Sequence, residues 1–374
     1  MKRARRSDHL EQVEALLREA ADLPHGPTRI GLCEEATRIA DLHGDPALAF
    51  RARQELVDAA CFGGRPDLLI VAYAWCLSWF DRGEHDRLSP YALLWRMKWV
   101  VNALPRFPEV ELPAIHRMLD DMERRYREFG GSVQPVVGVR RSVALKTGHL
   151  AEAARAHNRF VRMPRTTLSD CRACEAASLA DYHVVRGRNA VGVRKAEELI
   201  ASGLKCAKVP QETYGDILIP MVKLRRAPDA MRYHKTGYRM VRREAGEVQR
   251  WGQHMAYLAL TGNDARAAKL LEAHLADVEA SSDLLSVLDF FRNTFVVLEL
   301  LADRKEKLRL RLPPGSPFAN PTGEYILADL ALRVRDRAAE LSRRFDERNG
   351  NSYYSDLLEE AATLRKWATP VSYG

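Results

Sequence analysis

The 374-residue sequence predicts an all-α fold, a solenoid of helical hairpins with a C-terminal helical cap. Three observations predict it. Apolar residues recur at three- and four-residue steps along almost every segment. Gly- and Pro-rich breaks interrupt them at short, fairly regular intervals. Alternating apolar and polar residues, the mark of half-buried strands, are nearly absent. Composition agrees: 46% hydrophobic and 29% charged residues suit an ordinary folded chain, and no apolar run reaches the roughly 18 residues of a membrane span. The six dispersed cysteines do not make a disulfide scaffold and read as reduced thiols of a cytoplasmic protein. Lys2, Arg3, Arg5 and Arg6 have no apolar core after them, so they read as a frayed, solubilising start rather than a secretory signal.

Taken in order, Leu10, Val13, Leu16 and Leu17 mark the first helical face. Leu56 and Ala60 mark a later one, and Leu69, Ala72, Tyr73, Cys76, Leu77 and Phe80 the next. The breaks fall at 24–27, 43–46, 63–67, 130–131, 147–148, Gly187, Gly203 and 261–264. Glycine supplies the left-handed residue that ends a helix, and Asp, Asn or Pro favours the start of the next. Composition does not shift until about Arg304, so residues 1–302 read as the repeat array and 303–374 as the cap. Within the cap, Leu308, Leu310 and Leu312 alternate with Arg309 and Arg311, a run too short to found a sheet. A loop, Pro313–Gly323, leads to a long amphipathic helix from Glu324 to about Arg348, and a last helix runs from Tyr354 to about Lys366. Terminal elements of this kind cover the exposed apolar face of a solenoid.

Two segments superimpose when anchored on Gly148 and Gly262. Each glycine is followed by an alanine pair, Ala153-Ala154 and Ala267-Ala268, whose small side chains let the second helix approach the first. Here the chain resembles the tetratricopeptide repeat (TPR) family. In the best copy Trp251 stands at the early aromatic position, Leu258 replaces the later Tyr, Gly262 makes the turn, Ala267 the small contact and Leu271 the packing position. His254 and Met255 depart from the motif's Leu and Gly, and the 39-residue step from Gly148 to Gly187 exceeds the usual repeat of about 34. The general style is similar to TPR-like proteins of actinobacteria. The resemblance implies a right-handed superhelix of eight or nine degenerate hairpins around a continuous core, a concave face that takes a peptide or a partner's helix, and no catalysis. It also implies alternatives: a peptide-responsive regulator, or an accessory subunit of a bacterial defence or secretion complex.

Nucleotide, metalloprotease, hydrolase and kinase signatures are missing, so the sequence calls for no catalytic residue and no cofactor. Asp120 and Asp121 point about 100° apart on a helix and read as a solvated face balanced by arginines. Cys171 and Cys174 form half of a zinc site. Cys206, with His183 or His157, completes it only if the helices converge, and Asp170 and Glu175 are expected to disfavour thiolates; otherwise the pair reads as two helical cysteines, at least one buried. Tyr91, Trp95 and Trp99 are four apart, a stripe that reads as solenoid core or as the anchor lining of a groove. Arg232, Lys235, Arg239 and Arg242 make a positive stripe on the helix 228–243, with Met231, His234, Tyr238 and Val241 facing inward. The stripe reads as a solvated face, or as contact for an acidic protein, nucleic acid or anionic lipid. With Trp95 and Trp99 it supplies the partner-binding residues of the adaptor reading. An independent enzyme would instead show a compact pocket with several convergent polar groups.

Overall fold

A computed structural model describes residues 2–83 and 90–374, with backbone alone for 2–7. The basic residues Lys2, Arg3, Arg5 and Arg6 therefore lie outside the described side chains. Among the described residues the chain is a succession of helices: α1 Lys2–Asp22, α2 Pro27–Leu42, α3 Pro46–Phe62, α4 Pro66–Asp81, α5 Pro90–Ala103, α6 Leu112–Glu128, α7 Gln134–Lys146, α8 Leu150–Phe160, α9 Arg172–Val185 and α10 Asn189–Ser202. Two short helices follow, α11 Gln211–Asp216 and α12 Leu218–Lys223. Then come α13 Ala227–Val241, α14 Val248–Leu260, α15 Asp264–Glu279, α16 Leu284–Ala302, α17 Leu327–Asn349 and α18 Tyr353–Ala362. Proline opens α2, α3, α4 and α5, where its missing N–H costs no helical bond. Asp45 caps α3 by accepting from the Leu48 amide at 3.1 Å. At most of the anticipated breaks one glycine, as at Gly44, Gly64, Gly148, Gly187 and Gly262, takes left-handed φ.

Sequential neighbours pack on one another from α1 to α8 and from α9 to α10, and again from α11 to α18, the all-α array that the periodicity predicts. The long step from Gly148 to Gly187 has a physical cause. After α8 the segment 161–171 crosses back over α5: Leu168 buries itself in the N-terminal core, and the Lys98 ammonium donates to its carbonyl at 2.8 Å. The cap also differs from expectation in one detail. Lys307–Arg309 (β1) pairs antiparallel with Glu324–Ile326 (β2), so the short alternating run does make a two-stranded ribbon, and α17 starts at Leu327 rather than Glu324. The ribbon survives at this size because Leu310 and Tyr325 sink into the core beneath it.

The apolar core is not continuous. One large cluster runs from Val13 to Leu168 and another from Ala180 to Leu364, the latter shared by α14, α16, α17 and α18. Polar contacts join the two halves across the interior of the array. Ser282 Oγ donates to Asp67 at 2.6 Å, and Arg106 pairs with Asp283. Arg348 on α17 donates to the carbonyls of Pro105, Phe107 and Val110 at 2.9–3.0 Å, and Asn351 to that of Thr147 at 2.8 Å. Gly64 and Gly246 meet backbone to backbone: a Cβ on Gly64 would stand 2.3 Å from Gly246 Cα. Only residues without side chains allow that approach, and both also hold left-handed φ. The two halves are therefore bridged rather than separated by an open groove.

Candidate functional site

Between the two core clusters lies a charged cavity of about 390 Å³. Its wall draws on α7 (Ser142, Lys146), α9 (Asp181), α11 (Glu212, Asp216), α14 (Arg250), α16 (Asp289, Arg292) and α18 (Tyr353, Tyr354), with Arg106 and Lys208 from the connections. A second space of about 260 Å³ shares Asp181, Asp216, Asp289 and Arg292 with it. Gln253 donates to Asp216 at 3.2 Å, and Tyr354 OH donates to the Lys146 carbonyl.

Arg250 is the electrostatic centre. Its Nη1 lies 3.0 Å from Asp216 and its Nη2 3.6 Å from Glu212, while its Nε has no hydrogen-bond partner in the protein. Burial opposes its charge, but the carboxylates of Asp216, Glu212, Glu247 and Asp181 outweigh that and raise its pKa. The carboxyls respond in kind. Burial pushes Asp216 up to about 7 against the pull of Arg250, and burial raises Asp181, Asp289 and Glu247 as well. Lys146 moves the other way: burial, then the nearby Arg106 charge, lower it to about 7. Its ammonium donates to the Asn102 carbonyl at 2.9 Å. Cations and anions thus face one another across a space wide enough for water or a small charged group, and Lys146 and Asp216 each change protonation near neutrality.

Sequence reasoning missed these residues, because they come from five or more helices and no local motif joins them. One signal was present. Asp289 and Arg292 are a lone charged pair in the strongly apolar first three turns of α16, and they meet at 2.7 Å. A charge on the core face of an apolar helix needs a partner or a wet site.

The residues singled out from sequence lie elsewhere. Trp95 and Trp99 are half-buried against the N-terminal core: Lys98 Nζ sits 3.5 Å from the Trp95 ring centre, and Trp99 meets Phe62 edge-on at 5.3 Å. Arg232 and Arg239 on α13 and Arg242 at its C-cap stand exposed, while Met231, His234 and Val241 are buried behind them. Arg232 leans over Tyr233, and Lys235 lies 4.7 Å from the ring of Tyr373 in the C-terminal tail. α5 packs on α3, α4, α6 and α7, and α13 on α11, α12 and α14, so the aromatic stripe and the basic stripe belong to different halves. Asp120 and Asp121 do pair with arginines, the first with Arg140 and the second with Arg124 and Arg125.

The cysteines converge. The sulfur atoms of Cys171, Cys174 and Cys206 all lie within 4.8 Å of one another. The histidines expected to help do not join them: His157 stacks on Tyr182 at 3.7 Å, and His183 meets both rings edge-on. The acidic neighbours are also quieter than expected, since Asp170 is held by Lys98 at 2.7 Å and Glu175 by Arg165 at 2.8 Å. Among the described residues no helix is long and apolar enough to cross a membrane. No family model matches the chain, and no curated protein matches it in sequence.

Proposed function

We propose that the protein is a non-catalytic, TPR-like binding module that takes a short charged segment of a peptide or protein partner into its central cavity. The cavity itself carries this reading: cations and anions from separate helices converge on a space of about 390 Å³. A segment bearing both charges, such as a chain terminus beside an oppositely charged side chain, would replace the water there and complete the ion pairs. The bridged interior favours a small inserted group over a long peptide laid along an open groove. It fits the regulator alternative as well as the adaptor, because a ligand at this place touches both halves of the array.

A second reading, proton-transfer catalysis, is favoured by one observation. Burial lowers Lys146 and raises Asp216 in one cavity, which brings them toward each other as in an acid–base pair.

The test compares two sets of variants by affinity capture from the source organism at physiological salt, with and without nuclease treatment. Asp216→Asn and Arg292→Met alter the cavity; Arg232→Glu/Arg239→Glu reverses the outer stripe. The cavity variants are expected to lose a stoichiometric partner by faster dissociation. The stripe variant is expected to keep the partner, to associate more slowly through lost steering, and to hold its stability within about 0.5 kcal/mol. Partner loss in the stripe variant alone would move binding to the outer face. Recovery of nuclease-sensitive material alone would make nucleic acid the ligand.

A further inference from the structure

The three converging cysteines are not used by the cavity reading, and they stand apart from the other three thiols. Cys33 and Cys76 are buried as small apolar side chains, and Cys61 packs against the N-terminal core. Cys171 and Cys206 are exposed, where packing gives no reason for cysteine. From this arrangement we propose that Cys171, Cys174 and Cys206 form a three-thiolate site for one thiophilic divalent cation of the Zn²⁺ class, with its fourth position open to an outside ligand.

The fold builds the site from two directions. Cys171 is the N-cap of α9, and its sulfur accepts from the Cys174 amide at 3.4 Å. Cys174 follows in the first turn, so the spacing places both sulfurs at the same helix end. Cys206 comes from the connection after α10, where its amide donates to the Val209 carbonyl at 2.9 Å. Val209 anchors that turn by packing with Ala173 and Leu199, so the buried contact between α9 and α10 also presents the third sulfur.

The geometry suits a metal. Thiolate bonds of about 2.3 Å in a tetrahedral site put the sulfurs roughly 3.8 Å apart, inside the 4.8 Å that bounds every separation among the three sulfurs here. The charge balance suits it too. Binding displaces the thiol protons to solvent and leaves one divalent cation with three thiolates, a net single negative charge. The N–H groups at the start of α9 face that charge. Asp170 and Glu175, the nearest acids in sequence, are already paired with Lys98 and Arg165. Among the described residues no histidine or carboxylate completes a fourth ligand. Structural zinc sites close with four protein ligands, whereas sites that bind or exchange a ligand keep a position open. Cys174 also lines the cavity, so the metal would stand in its wall. The proposal does not depend on what the cavity binds.

The test uses the full, reduced protein under anaerobic conditions. Co²⁺ is titrated first, then displaced by Zn²⁺. The expected result is a thiolate-to-cobalt charge-transfer band that saturates at one equivalent. Alkylation followed by mass spectrometry should then show Cys171, Cys174 and Cys206 reactive without metal and protected together with Zn²⁺. Cys206→Ser should weaken Co²⁺ binding by more than the roughly 10–100-fold that loss of an outer-shell partner costs, whereas Cys61→Ser should leave it unchanged. Absence of the charge-transfer band, equal binding by Cys206→Ser, or alkylation of the three thiols in the presence of Zn²⁺ would overturn the site. So would a disulfide among them that forms in air and is not prevented by Zn²⁺. If Cys206→Ser fails to fold, protection of the wild-type thiols decides alone.

Discussion

Replacing Arg250 by methionine is expected to destabilise the protein by about 3–5 kcal/mol at neutral pH, the cost of leaving buried carboxylates without their counter-charge. Asp216 and Glu212 lose a direct partner, and Asp181 and Glu247 lose the cation that offsets their burial. The cost depends on pH in a direction that identifies its cause. Burial already raises Asp216 to about 7, and without Arg250 it, Asp181 and Glu247 rise further. A carboxyl with a raised folded value is penalised when the folded protein must hold it ionised, so the penalty is full above that value and relieved as pH falls through it. The difference between wild type and variant in urea unfolding should therefore be largest near pH 8 and shrink toward pH 5. A pH-independent loss would show that Arg250 acts by packing. Asp216→Asn is expected to change stability by no more than about 1 kcal/mol at pH 7, since the carboxyl there is close to half protonated and an amide can still accept from Gln253.

The sequence disclosed the array and concealed the cavity for one reason. Helical periodicity and Gly–Pro punctuation act over a few residues, so the helices and their breaks could be read directly. Trp251, Leu258, Ala267 and Leu271 are all buried. The break at Arg225, left-handed at φ 60° without a glycine, went unmarked because no residue type announced it. The crossing segment 161–171 and the bridge from Arg348 to residues 105–110 depend on contacts between distant parts of the chain. The cavity belongs to that second class, as does the placement of Cys206 beside Cys171. Spacing could state the condition for the cysteine cluster, that the helices converge, but only the packing of Val209 against Ala173 and Leu199 meets it.

The substitution His274→Phe is expected to lower stability near pH 7.5 by about 1 kcal/mol and to raise it by a similar amount near pH 5, so that the two curves cross. His274 is buried on α15, stacked on Trp251 at 4.1 Å, and shares a 3.0 Å hydrogen bond with Tyr238. Phenylalanine keeps the stacking and loses the hydrogen bond, which accounts for the loss at higher pH. Burial lowers His274 from its ordinary value of 6.5 to about 4. A depressed folded value means that the unfolded chain takes up the proton first. The contribution is whole above about 6.5 and is lost as pH falls toward 4, amounting to about 2 kcal/mol at pH 5. Phenylalanine has no such loss. The neighbouring pair, His234 and His254, joined at 3.1 Å between their Nδ1 atoms, is also lowered by burial. The His274 charge depresses His254 further, so its removal makes the variant still less sensitive to acid. The raised cavity carboxyls act in the opposite direction, gaining stability as they protonate, and would mask the histidine effect in wild type alone. They are the same in both proteins, so the difference curve isolates His274 together with its effect on His254. Parallel curves from pH 7.5 to 5 would mean that His274 is protonated as easily in the folded chain as in the unfolded one, and the apolar seal of α13, α14 and α15 around it would then be open to water.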